Sequence, residues 1–177
     1  MTNKIDTKKM VLIGLMIALT FVAGSVIRIP TFGGFVHIGD CMVFISVVLL
    51  GKKNGAIASA LGMLLVDVLG GYYFWAPFTF IIKGSMAYIV GFILEKLEYK
   101  IGFKKYIIAF LSGGVFMVIA YFFAGIIVAM FFTQKGGVIL GIMYASKDIF
   151  GNIIQVVTGM VIAFPLIRVV NKAKSLI

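Results

Sequence analysis

The chain has 177 residues, 62% of them hydrophobic and 12% charged, with a mean hydropathy of +1.16. That excludes a soluble core and leaves no room for two domains, so the sequence describes one integral membrane domain. The formal charge of +10 does not indicate nucleic acid, because the basic residues stand in short blocks between apolar runs, and one cysteine with one histidine, Cys41 and His37, leaves no disulfide or Cys/His metal centre to build.

Six apolar runs follow in order. The first spans residues 10–27 and closes on Arg28-Ile-Pro30; small residues at Ala23-Gly24-Ser25 imitate a signal cleavage site, but an uncleaved first span fits the charge pattern. A glycine-bearing loop, Thr31 to Asp40, leads to a second run at 41–51, the basic turn Lys52-Lys53-Asn54-Gly55, and a third at 56–69. Gly70-Gly-Tyr-Tyr-Phe-Trp-Ala-Pro77 introduces a fourth at 77–94, and a charged connector precedes the fifth at 106–133. The sixth covers 138–164, up to Pro165. About 20 apolar residues cross a bilayer as a helix, so runs two and three are short: they cross with little tilt, or they form a re-entrant hairpin.

Charge placement favours crossing. With six helices and cytoplasmic termini, 12 of the 16 basic residues fall on the inner side, and only Arg28 and Lys135 on the outer. A re-entrant hairpin would strand Lys52 and Lys53 at membrane depth. The expected fold is therefore an all-α, six-helix, multi-pass protein of the cell membrane.

Four ionisable residues, Asp67, Lys83, Lys147 and Asp148, interrupt apolar stretches, where a charge needs a partner or a polar cavity. Lys83 lies seven residues into the fourth run, about 10 Å deep at 1.5 Å per residue, and Lys147 and Asp148 lie at about 14 to 15 Å. On a helical wheel Tyr144, Lys147, Asp148, Gly151, Asn152 and Gln155 form one polar stripe, and Thr79 shares a face with Lys83. Two readings stay open. In one the charges pair, Lys83 with Asp148, while Lys147 snorkels or pairs with Asp67, and the set fixes helix register. In the other they line a pocket open to the outside, with Tyr72, Tyr73, Phe74 and Trp75 as stacking rings at its mouth and His37 and Asp40 as a polar lid. Tyr121 reads as packing. Gly14 and Ala18 make a close-approach face on the first helix.

No phosphate-binding loop, HExxH or GxSxG is present, so neither an enzyme nor a self-contained ATPase is expected, and no cofactor is implied. A stand-alone ion-coupled secondary carrier and a non-transporting membrane scaffold remain as alternatives.

Gly34-Phe-Val-His-Ile-Gly-Asp40, the short spans around Lys52-Lys53, and Gly70 to Pro77 leading into Ile81-Ile-Lys-Gly84 resemble the substrate-binding S components of energy-coupling factor transporters. The chain looks closest to the riboflavin, hydroxymethylpyrimidine and pyridoxine type. The resemblance implies a captor of a small B-type vitamin or precursor, of the pyridoxine, hydroxymethylpyrimidine, riboflavin or pantothenate class, in a bacterial plasma membrane. It also implies a membrane coupling subunit and two cytoplasmic ATPases as partners. Carried onto this sequence, the lid is Val36 to Asp40 and the mouth Tyr72 to Trp75. The wall is Lys83, Tyr144, Lys147, Asp148, Asn152 and Gln155. The docking face is Gly14 and Ala18, with glycine at the first position of the family's usual Ala-x-x-x-Ala.

Overall fold

The structure is a computed structural model that describes residues 7–31, 35–97, 103–132 and 137–174. Its helices are α1 (Thr7–Val26), α2 (Asp40–Leu69), α3 (Ala76–Leu97), α4 (Lys104–Phe132) and α5 (Val138–Lys174). Each is long and apolar enough to cross a membrane. The part of the first loop that is described is not featureless: β1 (Arg28–Pro30) and β2 (Phe35–His37) pair antiparallel, with Arg28 opposite His37.

Five helices appear where six runs were expected, because runs two and three are continuous as α2. The continuity is nominal. Gly51 breaks the helix at φ 76° and ψ 176°, a conformation that only glycine adopts without strain. The chain reverses there. A Cβ placed on Gly55 would lie 2.6 Å from the Cα of Val47, eight residues earlier, which a straight helix would hold far apart. Both ends of α2 also reach the same part of α1: Gly39 lies against the backbone of Gly24, and Gly24 lies against Val66. α2 is thus a hairpin whose turn, at Gly51 to Lys53, is at the opposite end of the bundle from Asp40 and Asp67. Lys52 pairs with Glu95 at 2.6 Å, which sets that turn level with the carboxyl end of α3.

The second departure concerns Pro165, where the sixth run was expected to stop. α5 continues through it to Lys174. Proline lacks an amide donor and normally breaks a helix, but packing against neighbouring helices re-satisfies the freed backbone in membrane bundles. Here Phe164 stacks on Phe110 at 5.8 Å, and Ala163 and Ile167 are fully buried.

α2 is the central element, touching α1, α3 and α5, while α4 packs between α3 and α5. The core runs between the helices, where Phe44, Phe110 and Phe164 form a stacked column and Met63, Met86 and Met117 fill the gaps. Large apolar side chains such as Val115, Phe123 and Phe150 face outward, as a lipid-facing surface requires. The end of the bundle away from Gly51 encloses a cavity lined by β2 and four of the helices or their connecting loops.

Candidate binding site

The cavity is walled by all three layers that meet at this end. Phe35, Val36 and His37 come from β2, Asp67 from α2, Tyr72, Trp75 and Thr79 from the α2–α3 loop and α3, Tyr121 and Gly125 from α4, and Ala145, Asp148, Gly151, Asn152 and Gln155 from α5; Thr31 completes the lining. It holds about 620 Å³ of space with its open mouth included. The size suits a small ligand in a narrow slot.

Its floor is a polar network built on Asp40. The Asp40 carboxylate is completely buried and accepts from Lys83 Nζ, itself completely buried, through one oxygen, and from Gln155 Nε2 at 3.2 Å through the other. Lys83 also donates to Met117 Sδ at 2.9 Å and lies over the Tyr121 ring at 5.4 Å. The Gln155 carbonyl accepts from the His37 backbone N–H at 3.2 Å, tying β2 to α5. One amide side chain therefore joins the loop to the ion pair. Such a network is stable only because each member is satisfied: an unpaired charge at this depth would cost several kcal/mol.

His37 closes the network from above. Its Nδ1 accepts from the Gly39 backbone N–H at 3.1 Å, so the neutral ring carries its proton at Nε2. Burial drives its pKa down from 6.5 to about 4, with Lys83 and Arg28 pushing the same way against Asp40. The imidazole is uncharged at neutral pH. Arg28 braces the loop: it donates to the Gly24 and Val66 carbonyls and to Ser25 Oγ, and stands 4.7 Å from the centre of the Phe35 ring. Phe35 packs on Tyr72 at 4.8 Å, and Trp75 on Tyr121 at 6.0 Å.

Residues 4–172 match the family described as the ECF-type riboflavin transporter, S component. The chain belongs to this family. Among curated proteins, this S component is 31% identical over 82% of its length to an uncharacterised protein in the gap 3' region of Pyrococcus woesei, covering 88% of that protein. It is 29% identical over 92% of its length to the thiamine precursor transporter HmpT of Lactococcus lactis subsp. cremoris, covering 87% of it. Its fold matches the crystal structure of the S component for biotin from an ECF-type ABC transporter, with a TM-score of 0.62, 22% identity and 94% of each chain covered. The S component is a multi-pass membrane protein, and its family is one of transporter components rather than enzymes.

The geometry sorts the residues named from the sequence. His37, Tyr72, Trp75, Asp148, Asn152 and Gln155 come together around the cavity. Asp40 and Lys83 lie beneath it and bond each other, so Asp40 is part of the floor rather than the lid, and Lys83 pairs with Asp40 rather than with Asp148. Four further named residues do not line the cavity: Tyr73 and Phe74 are exposed, Lys147 is exposed on the outer side of α5, and Tyr144 is half-buried beside the site. Gly14 and Ala18 are exposed on α1, and a Cβ on Gly14 would meet nothing within 4 Å.

Several lining residues were not assigned to the site by sequence reasoning, among them Phe35, Thr79, noted only as a neighbour of Lys83, and Tyr121, read as packing; Asp67, one of the charges that the pocket reading placed in the wall, lines the cavity. The Tyr121 hydroxyl donates to Thr79 Oγ1 at 3.2 Å, and Asp67 lines the cavity with both. A lone Tyr in an apolar run with a lone Asp and Thr at matching depth was the available signal.

Proposed function

We propose that the chain is the substrate-capture subunit of an ECF-type ABC importer and binds a small B-type vitamin or precursor from outside the cell. The observation that carries this reading is the polar-lined cavity at one end of an apolar bundle, roofed by β2 and floored by the Asp40–Lys83–Gln155 network. Polar groups inside a membrane bundle are costly, and a set of them gathered around a cavity is the usual mark of a binding site. Family membership and the relatedness to a thiamine precursor transporter support the solute class.

In this reading α2 contributes two spans, giving six, with both termini cytoplasmic. Lys8, Lys9, Lys52, Lys53, Lys96, Lys104, Lys105, Arg168 and Lys172 then fall on the inner side, away from the cavity. Tyr72 and Trp75 stack on the solute, Asn152, Asp148 and Gln155 orient it by hydrogen bonds, and His37 caps it. Asp40 and Lys83 position Gln155 and the loop. The coupling subunit docks on the Gly14 and Ala18 face of α1, and two ATPases drive release.

The test is titration of the purified chain, without partners or ATP, with B-type vitamins and their precursors. Saturable binding at micromolar concentration or below is expected; no binding to any of them would overturn the reading.

A further inference from the structure

The roof of the cavity is too slight to hold itself. β1 and β2 pair over three residues each, and an isolated two-stranded ribbon is marginal in water. Gln155, which lines the cavity, ties the ribbon to α5 by accepting from the His37 backbone N–H. Arg28, which is not part of the described lining, ties it to α1 and α2.

Arg28 sits where three elements meet. Its Nε donates to the Gly24 carbonyl in the last turn of α1 at 3.2 Å, and its Nη2 donates to the Val66 carbonyl in the last turn of α2 at 3.2 Å and to Ser25 Oγ at 3.0 Å. Neither helix has a basic residue in its own last turn, so one guanidinium serves the negative ends of both. The same group lies 4.7 Å from the centre of the Phe35 ring, and Phe35 packs on Tyr72 and lines the cavity. Gly70 gives a second, independent sign that this space is reserved. A Cβ there would fall 2.6 Å from Arg28 Nη1 and 2.7 Å from the Val66 carbonyl oxygen, although its φ of −84° and ψ of −5° do not themselves call for glycine.

We propose that Arg28 is the pin of the roof: a positioning residue that touches no solute but holds β2 closed against the ends of α1 and α2, and so sets how long a captured solute stays. The inference rests on the capture reading and adds to it a control point outside the wall. A planar fork is what the junction needs, since a lysine, as a point charge, can serve one carbonyl but not two helix ends and a ring face together. Closure of the roof thereby depends on the contact between α1 and α2.

The test uses the purified full chain in detergent and has two arms. The first needs no solute. Hydrogen–deuterium exchange over residues 35–39 should be at least about tenfold faster in Arg28→Gln than in the unmodified protein, the factor expected for losing charge-assisted hydrogen bonds, while exchange in α4 stays within about twofold. Gly70→Ala, which keeps Arg28 but displaces it, should reproduce the effect, and serves alone if Arg28→Gln does not fold. Added to Arg28→Gln it should change little further, and Arg28→Lys should fall between. The second arm follows Trp75 fluorescence by stopped flow with hydroxymethylpyrimidine and riboflavin as probes. Whichever binds should leave Arg28→Gln at least about tenfold faster while associating no more slowly. Exchange over 35–39 that stays within about twofold in both Arg28→Gln and Gly70→Ala would overturn the pin, even if thermal stability falls. Faster exchange with an unchanged dissociation rate would overturn the control of residence. If neither probe binds, capture fails and residence with it, while the exchange rates still decide the pin.

Discussion

Asp40 and Lys83 show how far a single residue's environment can differ from its position in the sequence. Asp40 follows a glycine-rich loop, yet it is fully buried and holds Lys83 and Gln155. Removing one partner leaves the other charge buried alone. Lys83→Met should therefore destabilise the protein by about 3–5 kcal/mol, while Lys83→Met combined with Asp40→Leu should recover much of that loss. Thermal unfolding of the three proteins in one detergent checks it. His37 makes a second prediction at this scale. Its folded pKa of about 4 lies below the ordinary 6.5, so between those values the unfolded chain takes up a proton that the folded chain refuses. The stability contribution is complete above pH 6.5 and is lost as pH falls toward 4, by up to about 3 kcal/mol. His37→Gln should flatten that part of the stability–pH curve; an unchanged slope would show that another group carries it. The sequence exposed the intramembrane charges but not their partners, because Lys83 and Asp40 are 43 residues apart and several acids lay within reach. Tyr121 was misread because one hydroxyl in an apolar helix has no periodic pattern to mark it.

At the scale of elements, α2 turns two short apolar runs into a hairpin. Its reversal depends on Gly51, whose φ of 76° with ψ of 176° excludes a side chain without strain. Gly51→Ala should cost about 1–3 kcal/mol in unfolding stability, whereas alanine in place of Ser146, exposed on α5, should cost little. Equal losses would argue against a special turn. Charge blocks identified the turn from the sequence, since Lys52 and Lys53 cannot sit at membrane depth. The second run, read from Cys41, begins within one residue of α2 at Asp40, but nothing in the sequence marked Asp40 as buried. Helix α2 starts inside the bundle because the β1–β2 ribbon dips in and delivers Asp40 to the floor, a tertiary effect with no local signal. Pro165 erred in the opposite direction: its local rule is strong, and packing on Phe110 overrides it.

For the whole molecule, the two ends of the bundle differ in kind, with a polar cavity at one and the lysine-rich turns at the other. Cys41 is buried, so introduced cysteines can report sidedness without background. Phe74→Cys should react with a membrane-impermeant maleimide in intact cells, and Lys53→Cys and Lys172→Cys only after permeabilisation; the reverse pattern would invert the topology. The α1 face is separable from the cavity. Gly14→Trp meets open space, so solute binding should persist while association with a coupling subunit is lost.

The central claim is that capture is complete in this one chain. Trp75 is the only tryptophan and lines the cavity, so its fluorescence reports occupancy directly. Titration of the isolated protein with vitamins and precursors, with no ATP and no partner present, should give a saturable change with a dissociation constant in the micromolar range or below, abolished by Trp75→Leu and matched by calorimetry. A flat response in both measurements for every solute would contradict the account.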